Sequence, residues 1–273
     1  MSIQTKRFTR REVLSVLVST GLIVSACENK EVKPSEIRFA IASDGHYGEP
    51  NTDYKRFYQE LIDSLKAQHN EKLLDFVVIN GDLVHGTRVD LLPEVKSYLD
   101  QLPMPYYVTR GNHDRVSLDY WTSMWGYSTN HILYVGDTAI VLFDTSNESG
   151  AYYCGNNQWL ESELAKIPAQ TPVFLFMHIP FLRSLSGENE CQDTADLITK
   201  YPQIKGVFHG HDHSLDIGVK VSDKAVFFDG HLGSSWGVNY RGYRVVESTA
   251  DSKYLSWQYN LEENRRVNSM VFG

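Results

Sequence analysis

Gly206-Val207-Phe208-His209-Gly210-His211-Asp212-His213 is the stretch on which the reading of this chain turns. A short apolar run empties into a cluster of histidines, and neutral imidazole is the commonest protein metal ligand. His211 and His213 stand two residues apart, so they face one site only if the chain turns tightly. Gly210, having no Cβ, permits such a turn. Alone, the stretch also fits a histidine-rich surface loop. Matching ligands elsewhere must decide between the two.

Outward from it, the same pattern recurs: an apolar run, then polar residues. Residues 37–42 end at Ser43-Asp44-Gly45-His46, and residues 76–79 end at Asn80-Gly81-Asp82. Residues 106–108 run into Arg110-Gly111-Asn112-His113-Asp114, and residues 173–177 end at His178. Unbroken apolar runs suit strands covered on both faces. Between them, Tyr54, Phe57, Tyr58, Leu61 and Leu65 recur with helical spacing, as do Leu91, Leu92, Val95, Tyr98 and Leu99. Further helices are expected at Trp121/Trp125, from Gln158, and within 183–200. Residues 132–134 and 139–143 predict a hairpin about Gly136-Asp137. Leu215 to about Asn260 reads as several strands. Strands alternating with helices define an α/β chain, whose ligands bind at the C-terminal ends of the strands.

A chain of 273 residues, 42% hydrophobic and 22% charged, can bury a sizeable core. Its net charge of -8 argues against a nucleic-acid surface, which is usually basic. A small phosphorylated substrate stays open, because bound cations reverse the local field. With no Cys-x-x-Cys pair, a thiolate zinc site is not expected. Cys154 and Cys191 are open to two readings, a disulfide or separate buried thiols.

Residues 1–26 read as an export signal: Lys6, Arg7, Arg10 and Arg11 precede an apolar run from Val13 to Ala26. That run is shorter than the ~20 residues a membrane span needs. Thr9-Arg10-Arg11-Glu12-Val13-Leu14 resembles a twin-arginine signal. Val24-Ser25-Ala26-Cys27 resembles a bacterial lipobox, which implies lipidation at Cys27 and anchoring at a cell-envelope membrane. Residues 27–35 would be a tether and 36–273 the folded domain.

Asp44, His46, Asp82, Asn112, His113, His178, His211 and His213 thus gather at strand ends. Any one of them has a plain alternative, since an Asp after a strand is often a cap. Together they supply carboxylate, imidazole and amide donors without thiolate, a set that suits manganese, iron or zinc. There are enough for two divalent ions of the kind that polarise a phosphoryl group and activate water.

At these residues the chain resembles the calcineurin-like metallophosphoesterase family. Asp44-Gly45-His46, Gly81-Asp82, Gly111-Asn112-His113-Asp114, His178 and Gly210-His211-Asp212-His213 match its motifs in order. The resemblance implies a four-layer α/β/β/α sandwich with two mixed sheets, and phosphoester hydrolysis by a two-metal centre. It implies that Asp44, His46 and His213 hold one ion, that Asn112, His178 and His211 hold the other, and that Asp82 bridges. His113 is then the proton donor or transition-state stabiliser, with Asp114 as a support residue. Many members carry an acid three residues after the bridging Asp; this chain has His85. Purple acid phosphatases have a tyrosine there, so a purple ferric centre is not expected. His85 could bond His113, add a ligand or line the pocket. Arg110 is a candidate phosphate contact or, alternatively, a structural ion pair. Specificity loops are expected around 85–92, 115–130 and 183–195. Besides a general phosphoesterase, the sequence leaves open a diesterase restricted to cyclic nucleotides or glycerophosphodiesters, and a non-catalytic surface lipoprotein.

Overall fold

The computed structural model describes residues 36–182 and 191–273. The export signal, Cys27 and the tether lie outside the described residues.

Strands β1 (Arg38–Ala42), β2 (Phe76–Asn80) and β3 (Tyr106–Thr109) pair in parallel. β10 (Gly242–Ser248), β11 (Tyr254–Asn260) and β12 (Arg265–Phe272) extend that sheet antiparallel, in the order β12-β11-β10-β1-β2-β3. The second sheet runs β4-β5-β6-β7-β9-β8. It joins the hairpin of β4 (His131–Val135) and β5 (Thr138–Leu142) to β6 (Val173–Phe176), β7 (Ile204–His209), β9 (Lys224–Asp229) and β8 (Asp216–Val221). Both sheets are mixed.

Strand alternation sorts the side chains into layers, because successive residues point to opposite faces. Phe39 and Ile41 of β1 face the other sheet, where they meet Phe174, Phe176, Phe208 and Phe227. Their neighbours Ala40 and Ala42 face outward to α1 (Tyr54–Glu71), α2 (Leu92–Leu99) and α3 (Leu118–Trp125) through Leu61, Leu65, Val95, Leu99 and Trp121. On the second sheet Val173, Leu175 and Val207 pack against α4 (Asn157–Leu164) and α5 (Gln192–Lys200). Helix, sheet, sheet and helix follow in that order, the expected sandwich. Rings stack along each inner face, Phe39 4.8 Å from Phe76 and Phe208 5.0 Å from both Phe176 and Phe227, and Phe39 meets Phe174 of the opposite sheet at 4.8 Å. Offset aromatic pairs of this kind add about 0.5–1.5 kcal/mol each beyond burial.

Two expectations need correcting. β12 lies beyond Asn260, where no strand was read; on an exposed sheet edge it buries only Phe272, so its sequence carries little apolar signal. Residues 231–241, read as part of the strand region, form a loop. The cysteines are joined: Cys154 and Cys191 form a disulfide that ties the loop before α4 to the start of α5. Among the described residues no helix is long and apolar enough to cross a membrane.

Candidate metal centre

The parallel strands of both sheets deliver their C-terminal ends to one edge of the sandwich. Asn80, at the end of β2, joins the two sheets there. Its side-chain amide donates to the carbonyls of Phe208 (3.0 Å) and Met177 (3.4 Å) of the opposite sheet, and its Oδ1 accepts from Thr109 Oγ1 (2.8 Å). The two halves of the ligand set are thereby held in register.

Asp44, His46, Asp82 and His211 all have positive φ, between 40° and 68°. Non-glycine residues adopt this conformation seldom, and it clusters at functional sites. Gly210 itself is not left-handed; the tight turn falls on His211. Gly210 is needed for close approach, since a Cβ there would collide with Ser43 Oγ and lie 2.6 Å from Asp44 Oδ2.

Three groups result among the described residues; one joins His46 to the half-buried His85 and His113, and the other two carry the carboxylates. Asp44, His46 and His213 bring one ligand atom each within 4.8 Å of one another, and so do Asp82, His178 and His211. His213 Nε2 lies 2.9 Å from Asp44 Oδ1 and 3.1 Å from His46 Nε2. Asp82 Oδ1 accepts the backbone N–H of His113 (2.8 Å). Its Oδ2 faces His178 Nε2 at 3.3 Å, His46 Nε2 at 3.7 Å and His113 Nε2 at 4.0 Å. Asp82 therefore faces both groups.

The hydrogen bonds fix which nitrogens point inward as acceptors. Ser234 Oγ gives its proton to the Trp236 carbonyl (2.8 Å), so it must accept from His213 Nδ1 (2.6 Å). In the protein alone His213 Nε2 then donates to Asp44 Oδ1; burial works against the charge, but that bond raises the pKa of His213, and a bound ion would take that proton's place. His178 Nδ1 donates to the Asn80 carbonyl (2.8 Å), and its Nε2 is buried without a hydrogen-bond partner. The Asn112 amide oxygen is buried and unpartnered as well. Acceptors converging without donors are what a cation, or a captured proton, stabilises. In the protein alone, burial works against charge on His178, but Asp82 and Asp44 raise it to about 10. Divalent ions would take over that neutralising charge and release the proton. The residues fit the metals that the sequence implies.

His113 stands half-buried beside these groups and accepts the Gly86 N–H at Nδ1 (2.8 Å). His85 Nδ1 lies 3.3 Å from His46 Nδ1. Of the three openings for His85, a hydrogen bond to His113 is absent among the described residues, while its ring nitrogens lie within ligand reach of those of His46 and His113. Asp114 does not reach His113 either. Its Oδ1 accepts the N–H groups of Leu83 (2.8 Å) and Val84 (3.2 Å), and its Oδ2 that of Gly111 (2.9 Å). It braces two loops and does not orient the imidazole. Arg110 is buried, bonded to Asp144 (2.5 Å) and to the carbonyls of Val116 and Ser146 (each 2.9 Å). The ion-pair alternative holds, and no free guanidinium is left for phosphate. His209 is a buried strand-end residue with Nδ1 3.3 Å from the Met177 carbonyl.

Ser43, Asn80, Ser234 and Trp236 were missed as site residues. Ser43 Oγ is 2.5 Å from Asp44 Oδ2, and the Trp236 indole stacks on His213 with centroids 4.6 Å apart. The expected specificity loops did not include 145–155 or 231–241, which bring Tyr152 against His211 and Trp236 against His213. A signal existed: Gly230-His231-Leu232-Gly233-Ser234-Ser235-Trp236-Gly237 follows an apolar strand, as every motif does.

A sandwich of two mixed sheets with paired carboxylate–imidazole groups at its strand ends defines a metal-dependent phosphoesterase class. The chain belongs to the calcineurin-like phosphoesterase family, whose model matches residues 37–215. It is 22% identical over 260 residues to a protein of Fibrobacter succinogenes named a probable cyclic nucleotide phosphodiesterase, covering 89% of this chain and 96% of that one. It is 28% identical over 157 residues to a protein of Arcobacter nitrofigilis named a probable glycerophosphodiester phosphodiesterase, covering 52% and 57% respectively. A dimetal phosphatase from Danio rerio shares the fold with a TM-score of 0.65 at 14% identity, covering 86% of this chain and 98% of that one.

Proposed function

We propose that the protein is a divalent-metal phosphodiesterase. The observation that carries this reading is the array of inward-facing acceptors on either side of Asp82 Oδ2. The names of the similar proteins favour diesters over monoesters. The non-catalytic alternative is disfavoured because both donor groups are complete. In this reading Asp44, His46 and His213 would hold one ion and Asn112, His178 and His211 the other, with the Asp82 carboxylate available to both. Oxygen and nitrogen donors without thiolate favour manganese, iron or zinc. When bound, the ions supply Lewis-acid polarisation of the phosphoryl group and a more acidic water.

The chain's own residues do the rest. Because Gly86 N–H occupies His113 Nδ1, the neutral ring carries its proton on Nε2. From there the ring donates a hydrogen bond to the oxygen on which charge develops; the attacking water gives up a proton as its oxygen bonds to phosphorus, and the leaving ester oxygen takes a proton from solvent as its phosphorus–oxygen bond breaks. Ser234 and Asn80 fix the tautomers of His213 and His178. Tested on metal-analysed protein, paired mono- and diesters should show diester turnover that chelation abolishes and one of these metals restores. Monoesters hydrolysed faster than every diester would refute the diesterase reading.

The export reading is part of the proposal, supported by Arg10-Arg11 and Ser25-Ala26-Cys27. Cys27→Ser should move the protein from the membrane to the soluble fraction.

A further inference from the structure

The mechanism leaves the indole of Trp236 unused. It is 46% exposed beside buried ligands, yet its loop is firmly held. Ser235 bonds Glu49 through both its N–H (3.1 Å) and its hydroxyl, and Val238 N–H donates to the His213 carbonyl (2.7 Å). Gly237 packs so closely that a Cβ would lie 2.5 Å from His213 Cβ. An exposed aromatic ring usually needs ordering when a ligand arrives; this one is already fixed.

Trp236 stacks on His213 with an interplanar angle of 14° and also lines a cleft of about 350 Å³ with His231, Ser234, Tyr240, Arg241 and Glu262; the Arg241 guanidinium lies 4.0 Å over the Phe57 ring there. That volume falls within the range of small-molecule sites. The cleft thus shares Ser234 and Trp236 with the His213 side of the centre. An exposed indole beside a phosphate-reactive site, with Arg241, Glu262 and Asn239 as hydrogen-bonding groups around it, suits a flat ring with polar edges joined to that phosphate. A purely alkyl alcohol gains less from that indole, because it offers no π-face.

We infer that the Trp236 cleft receives the nucleobase of a nucleoside phosphodiester while its phosphate lies over the histidine–carboxylate centre. The inference rests on the diesterase reading and narrows it to base-bearing substrates. Trp236 is the specificity residue for that base, and the leaving and attacking groups are unchanged.

The test compares 3′,5′-cyclic AMP with glycerophosphoglycerol on metal-loaded wild type, Trp236→Ala and Trp236→Phe, with metal content measured for each. Trp236→Ala should lower the ratio of kcat/KM for the cyclic nucleotide to that for the alkyl diester by about tenfold, the size of one base–aromatic stack. Trp236→Phe should lose less. An equal loss on both diesters, or no loss on either, overturns the inference and leaves the diesterase reading intact. If wild type cleaves no diester, that reading fails by itself. Equilibrium binding of the slowly cleaved cyclic phosphorothioate then decides the cleft: a Kd about tenfold weaker in Trp236→Ala upholds it, and an unchanged Kd or no binding removes it.

Discussion

The two ligand groups are held in different ways. Around Asp44, His46 and His213 the histidines are held by side chains on loops: Ser234 on His213, His85 on His46, and the Trp236 indole stacked alongside; only Asp44 takes a backbone N–H, that of His211 (2.9 Å). Around Asp82, His178 and His211 the backbone does more. His178 rests on the Asn80 carbonyl, and Asp82 Oδ1 takes a backbone N–H. A carbonyl at a strand end is fixed by the sheet ladder and survives substitution of its own side chain. A hydroxyl or imidazole on a loop does not. The first group is therefore the one that point mutations can loosen alone.

Substitutions test that contrast, and the largest effect is expected where the groups meet. Asp82→Asn removes a charge facing both, so metal analysis should find both ions depleted and activity at the detection limit. Two ions retained at full affinity would break the picture of a shared carboxylate. His113→Ala belongs to neither group. It should keep its metals and lose about 10²–10³-fold in kcat, the range for a positioned hydrogen-bond donor to developing charge; depleted metal would make it a ligand instead.

Smaller effects should separate the groups. Ser234→Ala and His85→Ala each should weaken the affinity of one ion by about 10–100-fold, the usual cost of losing an outer partner of a ligand histidine, and leave the other ion in place. Competitive chelator titration reads this directly. His85→Asn, which keeps an acceptor near the position of Nδ1, should recover much of the affinity. Equal weakening of both ions would erase the contrast. The smallest effect on metal is expected for Asn80→Ala, because the carbonyl that holds His178 remains. Its cost should appear in stability, about 1–3 kcal/mol by denaturant unfolding, since Phe208 and Met177 carbonyls and Thr109 lose their partner.

Much of this architecture was legible before any coordinates. Apolar runs that end in Asp, Asn or His marked the parallel strands and the side chains at their tips. What escaped was set by less regular signals. β12 is polar because it borders solvent, and the 231–241 loop supplies support through one serine and one tryptophan, too few to form a pattern. Arg110 and Asp114 sit inside a motif yet serve structure, which the chain order of residues cannot distinguish from chemistry.

By itself the sequence determined the α/β class, the strand-end positions of the eight donor and proton-transfer candidates, and the absence of a thiolate set. These follow from local periodicity and residue chemistry. Only the tertiary structure decided that Arg110 and Asp114 turn away from the centre, that His85 turns to His46, and that Cys154 meets Cys191. Such pairings depend on where distant strands end relative to one another. That relation is fixed by sheet register, by phenylalanine packing between the sheets and by the Asn80 amide across them, none of which a linear order of residues contains.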